Sequence, residues 1–170
     1  QVLCDSTDIG IVSVGDGIVG YWDDRSNQFK VNDGTTDMVF SQLRPVSAKA
    51  GNGIFAWVDG AGGLRCWKNG VTQRLTTDIP SGYWVQDEIL LYLDEGDLKM
   101  FNGNEVILVE AYVPERWQVV GSKLVYLDLN RELRGIVDGK RERFGTEANI
   151  APFDLYGDAS AYPSPTGLFT

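Results

Sequence analysis

The chain has 170 residues, 24 Asp and Glu against 15 Lys and Arg, a net charge of −9 and no histidine. That is the length of one domain, and 43% hydrophobic residues are enough for a core. The missing imidazole excludes Ser-His-Asp and Cys-His catalysis and His-ligated zinc, and the acidic excess argues against a nucleic-acid partner, whose phosphates need clustered cations.

In chain order, residues 1–16 (QVLCDSTDIGIVSVGD) read as two strands. From Ile18 onward an apolar segment with an aromatic near its end recurs as IVGYWD, IFAWVD, ILLYLD, LVYLD and ASAYPS. It sets Tyr21, Trp57, Tyr92, Tyr126 and Tyr162 at intervals of 36, 35, 34 and 36. Two residues after the aromatic stands Asp23, Asp59, Asp94 or Asp128, with Ser164 in the last copy. A second column, Phe29-Lys30, Leu64-Arg65, Leu98-Lys99, Leu133-Arg134 and Leu168-Phe169, keeps the same period. A third, Asp33-Gly34, Asn69-Gly70, Asn102-Gly103 and Asp138-Gly139, supplies the dipeptides of tight chain reversal. A third strand such as 106–109 and a fourth around Trp84-Val85, Trp117–Val120 or Phe153–Tyr156 complete each unit.

Four short strands per ~35 residues make a meander, and the dense turn signals with β-branched and aromatic strands argue against a helical solenoid. The leading strand, apolar on both faces, suits a position between neighbouring sheets. The chain therefore resembles an all-β, five-bladed β-propeller of four-stranded antiparallel blades. Blades are expected at 17–50, 51–86, 87–120 and 121–156. A fifth is shared between 157–170 and 1–16, so that the N- and C-terminal strands pair and close the ring. The rival reading is four repeats and two fragments cut from a longer propeller.

The resemblance implies that the turns leading into each blade surround a channel mouth. These carry Asp16, Asn52, Asp87 with Glu88, Ser122 and Asp158, as ligand-binding groups or as plain turn formers. Asp23, Asp59, Asp94 and Asp128 are weak metal candidates, calcium being the cation that carboxylate oxygens suit; the alternative is that each caps its turn or pairs with Lys30, Arg65, Lys99 or Arg134. Trp22, Trp67, Trp84 and Trp117 lie outside the inner column, and the indole faces of Trp67, Trp84 and Trp117 are the candidates to stack on sugar rings. Lectins of this architecture hold one sugar per cleft between blades, and the resemblance implies the same here.

The expected function is non-catalytic glycan binding. A structural or self-assembling propeller with protein partners, forming a homo-oligomer or part of a larger extracellular assembly, is the alternative, and a carboxylate-based glycoside hydrolase or lyase using Asp16, Asp87, Glu88 or Asp158 comes third. No cofactor is expected. Cys4 and Cys66 are expected to be buried small side chains. No apolar run approaches the ~18 residues that span a bilayer. A first residue other than Met suits a processed, secreted chain and points to an extracellular location.

Overall fold

The computed structural model describes residues 9–145, 154–156 and 159–161. Among these are four four-stranded antiparallel sheets, each made of consecutive strands. The first holds β1 (Ile9–Gly15), β2 (Ile18–Asp23), β3 (Gln28–Asn32) and β4 (Asp37–Ser41), and the second β5 (Ser47–Ala50), β6 (Ile54–Val58), β7 (Leu64–Lys68) and β8 (Val71–Arg74). The third comprises β9 (Tyr83–Gln86), β10 (Ile89–Asp94), β11 (Asp97–Phe101) and β12 (Val106–Glu110). The fourth comprises β13 (Trp117–Val120), β14 (Lys123–Leu127), β15 (Leu133–Val137) and β16 (Lys140–Gly145). A two-stranded sheet of β17 (Asp154–Tyr156) and β18 (Ala159–Ala161) follows.

This overturns the five-bladed ring. Four complete blades are present, and no sheet among the described residues joins N-terminal to C-terminal strands. The expected closing strands at 1–16 divide: β1 pairs with β2 inside the first sheet, and residues 1–8, like 162–170, lie outside the described residues. The blade boundaries also shift by one strand. The apolar aromatic strand is the second of its sheet, and the strands at Trp84 and Trp117 open the third and fourth sheets instead of ending the sheets before them.

The reason lies in the connections. Asp16-Gly17, Asn52-Gly53, Asp87-Glu88 and Gly121-Ser122 are two-residue hairpins, with Gly17, Gly53, Asp87 and Gly121 at φ of 68°, 62°, 47° and 58°. Such a turn joins strands ~4.8 Å apart, whereas stacked sheets stand ~10 Å apart and need a longer link. Those links are residues 42–46, 75–82 and 111–116. The third-column dipeptides all lie at reversals, Asn69-Gly70 and Asp138-Gly139 as two-residue turns with both residues at positive φ.

The sheets stack face to face, and three seams between them form the core. Trp22, Phe29 and Val31 meet Phe55, Trp57 and Trp67 in the first seam. Ile54, Ala56, Leu64 and Cys66 meet Tyr83, Leu90, Tyr92 and Phe101 in the second. Ile89, Leu91, Leu98 and Met100 meet Val119, Leu124, Tyr126 and Ile136 in the third. This is why β6 is buried along its whole length: one face serves each seam. Val125, Leu127 and Leu133 form a smaller cluster on the far face of the fourth sheet.

The first strands pack against one another, β1 on β5 and β5 on β9, and so form the inner side of the row. Backbone bonds tie their hairpins together, Gly53 N–H to the Asp16 carbonyl (3.3 Å) and Asn52 N–H to the Asp87 carbonyl (2.6 Å). Among the described residues no helix is long and apolar enough to cross a membrane.

One lysine is used as a staple. Lys68, nearly buried between the second and third sheets, donates to the carbonyls of Glu88 (2.9 Å) and Asn102 (3.1 Å) and stands 3.5 Å from the Glu88 carboxylate. Lys68→Met leaves two carbonyls short of a donor and is expected to lower stability by about 1–3 kcal/mol, read by urea denaturation.

Candidate functional site

Because each sheet is a simple meander, its turns fall at two ends. At one end lie the first hairpins with Asp16, Asn52 and Asp87, together with the Asp33, Asn69, Asn102 and Asp138 reversals. This end is polar. Asp87 accepts the Gly121 amide of the next sheet (2.9 Å), so its carboxylate links neighbouring turns. Asp158 lies outside the described residues.

At the other end are the Asp23, Asp59, Asp94 and Asp128 turns and the three sheet-to-sheet links. Here each carboxylate is engaged locally. Asp59 accepts the amides of Ala61 (2.9 Å) and Gly63 (3.1 Å) and the Arg65 guanidinium (2.5 Å). Asp128 accepts the Asn130 and Glu132 amides and sits 2.7 Å from Arg134. Asp23 takes the Arg25 and Ser26 amides and Lys30, and Asp94 takes Lys99 (2.7 Å). The bond from Lys30 is the chief reason the Asp23 carboxyl is held far below the usual range. Burial alone would raise Asp59, but the Arg65 bond and the two amides outweigh it and the net shift is downward. Among the described residues no three His, Cys, Asp or Glu side chains are grouped to hold a metal ion.

These depressed carboxyls set a pH dependence. Their stabilisation is present above ~4, the unfolded value, and is lost as pH falls through the lower folded values. Asp59→Asn is expected to lower stability at pH 7 and to reduce its further loss during acid titration, followed by far-UV circular dichroism.

The tryptophans divide. Trp67 is 6% exposed and packs into the first seam beside Phe40, and Trp22, also buried, lies under the Arg44 guanidinium, 5.4 Å from the ring centre. Trp84 and Trp117 are half-buried and face each other, ring centres 5.2 Å apart at 71°. They meet because they are offset by one position in the repeat: Trp84 pairs with Leu91 and Trp117 with Tyr126, which puts them on opposing faces of adjacent sheets. The same two positions in the preceding seam hold Lys49, opposite Ala56, and Tyr83, opposite Tyr92. There the Lys49 ammonium lies 4.7 Å from the Tyr83 ring centre and donates to the Tyr83 carbonyl (2.6 Å).

A cleft of about 320 Å³ opens beside this pair, lined by residues including Ser47, Lys49, Ile79, Pro80, Ser81 and Trp84. The Tyr83 hydroxyl donates to Ser47 Oγ (2.9 Å), and burial is the main cause raising its pKa. Of the residues singled out from sequence, Trp84 alone borders this cleft; Lys49, Ser47 and Ile79 were missed. The available signal was the repeat register, in which Lys49 is the counterpart of Trp84.

Cys66 is buried, its thiol pushed up by desolvation and therefore unreactive, while Cys4 lies outside the described residues.

No curated protein has a sequence that matches this chain significantly. Among solved structures, yeast RCC1 (Prp20), solved bound to Kap60, is 10% identical with a TM-score of 0.49, over 94% of this chain and 54% of that one. A HIRA fragment is 10% identical with a TM-score of 0.47, covering 79% and 52%. A computationally designed protein, Ika4, is 12% identical with a TM-score of 0.40, covering 86% and 96%. The chain spans about half the length of the RCC1 and HIRA structures. A family model described as a 10-bladed beta propeller domain matches residues 4–170. With sheets stacked in series, consecutive strands in each and a ~35-residue period throughout, the chain belongs to the 10-bladed β-propeller domain family.

Proposed function

We propose that the chain is a non-catalytic interaction module, a section of a propeller that engages a protein partner through the end carrying its sheet-to-sheet links. The observation that carries this is an asymmetry between the connections at the two ends. Leu43 (60% exposed), Val46, Ile79 and Val113 stand out from successive links, and Leu129 (76%) from a turn at the same end. Single exposed apolar residues are ordinary, but the same kind of side chain repeated at one end of every sheet offers a partner a series of apolar anchors. At the opposite end the turns themselves are Asp, Asn and Gly, and the exposed Val14, Val71 and Val106 there lie on the strands beside them.

Two of the carboxylates considered for catalysis already have structural partners, Asp87 accepting the Gly121 amide and Glu88 standing 3.5 Å from Lys68, which supports binding over carboxylate catalysis. Glycan recognition at quasi-equivalent clefts is the less favoured reading, because Trp67 is consumed in a seam and Trp84 and Trp117 fill one together.

The test is site-specific photocrosslinking. A crosslinking residue at Ile79 or Leu129 is expected to trap protein in the native setting, and one at Asn52 or Asp87 is expected not to. Equal trapping at both ends, or a glycan panel giving several sugars bound per chain, would overturn the proposal.

A further inference from the structure

We infer that the cleft between the second and third sheets binds the free C-terminal carboxylate of a peptide whose last residue is apolar. This deepens the interaction reading by naming one feature of the partner, and rests on it only for the partner being a protein.

The first argument is charge. The chain carries nine more acids than bases, yet none of the residues lining the cleft is acidic. Lys49 is exposed, and no ion pair engages it among the described residues. Its Nζ donates to the Tyr83 carbonyl and rests over the Tyr83 ring, which fixes the ammonium in place while leaving donor capacity for a ligand. A positioned ammonium without a carboxylate partner, in a protein otherwise rich in carboxylates, suits an incoming anion.

The second argument is the shape and chemistry of the walls. Val58, Ile79, Pro80 and the Trp84 indole make most of the lining apolar, and Ile79 stands 63% exposed. A sugar would need partners for several hydroxyls. Besides Lys49 and the Trp84 indole N–H, the side chains here offer Ser81 and a Ser47 hydroxyl already accepting from Tyr83, which leaves few acceptors for sugar hydroxyls. An apolar side chain beside a carboxylate meets both features, and about 320 Å³ is at the small end of ligand sites, suited to one terminal residue.

The third argument is comparison along the row. The equivalent pair in the next seam, Trp84 and Trp117, sets two rings against each other, and the pair in the preceding seam is Ser13 and Ala48, with no charge. At these equivalent positions only the middle seam carries a cation, Lys49.

The test uses the whole chain and the tripeptide acetyl-Gly-Gly-Leu as free acid or as C-terminal amide, followed through the Trp84 indole resonance, assigned with Trp84→Phe. The acid is expected to shift that resonance with saturation, and the amide to bind at least about tenfold more weakly. Lys49→Gln is expected to abolish the acid-over-amide preference with unchanged circular dichroism, and Lys49→Arg to keep it. Ile79→Ser, at the rim, is expected to weaken both peptides, and raised salt to weaken the acid alone.

Equal binding of acid and amide, no response to either, or a preference that survives in Lys49→Gln would overturn the assignment. So would glucuronate competing as well as the peptide acid. Failure here with successful crosslinking at Ile79 and Leu129 would leave the interaction surface standing without this pocket.

Discussion

Trp57→Ala is expected to lower stability by about 3–5 kcal/mol, the range for truncating a fully buried large aromatic. Trp57 is 2% exposed and central to the first seam. Its ring stacks on Phe40 with centres 4.8 Å apart and meets Phe29 at 5.8 Å and Phe55 at 6.2 Å. The four rings come from both sheets of the seam, so no single sheet can collapse into the space left behind. Thermal melting should fall by roughly 10 °C, at 2–4 °C per kcal/mol for a chain of this size. Trp57→Phe, which keeps a ring there, should recover more than half of the loss. A melting change of under 2 °C for the alanine variant would mean that the first seam contributes little to stability.

The second large effect is expected at Gly51. A Cβ at this position would stand 2.3 Å from the Asp87 carbonyl oxygen and 2.8 Å from Val85 Cγ1, contacts that no rotamer relieves because one partner is backbone. The close approach lets the Asn52 amide reach that same carbonyl at 2.6 Å. Gly51→Ala should therefore push the second and third inner hairpins apart and cost about 3 kcal/mol, the upper part of the usual range for overpacking. A glycine-to-alanine change at an unstrained site would instead stabilise by restricting the unfolded chain. The sign alone decides, and chemical denaturation of the single variant reads it. Gly15, whose Cβ would meet the Gly51 carbonyl oxygen at 2.2 Å, should behave alike in the first seam.

The repeat was legible in the sequence because the forces that fix it are local. An aromatic buried in a seam, an Asp that caps the following turn and a dipeptide that reverses the chain each act within a few residues, so their spacing survives as a period. The alternation of exposure along β11, in which Leu98 and Met100 are buried and Lys99 is half-buried, was visible for the same reason. The phase of the repeat was hidden. Asp16-Gly17 and Asn52-Gly53 announce a turn without stating whether the next strand lies beside the last one or in the next layer; the answer depends on link length, and the longer links at 42–46, 75–82 and 111–116 were the overlooked clue.

Blade number was hidden more deeply. It follows from the angle between stacked sheets, which the bulk of facing side chains sets, and the repeat period along the chain carries no information about that angle. The cleft was hidden because Lys49 belongs to a short, unremarkable strand, SAKA, and gains its meaning only from Tyr83 and Trp84, 34 and 35 residues away.

The making of each sheet from consecutive strands has a consequence for how such a protein can change over generations. Every described ladder of strand hydrogen bonds begins and ends within one unit of about 35 residues, and only short links pass from unit to unit. A duplication or deletion cut within a link would add or remove a whole sheet without breaking a ladder. The new junction would then have to fit only side chain to side chain, along with the few backbone bonds between hairpin turns. Copy number can therefore drift faster than the unit itself, and the length of the stacked row becomes a trait tuned by substitutions in the seams.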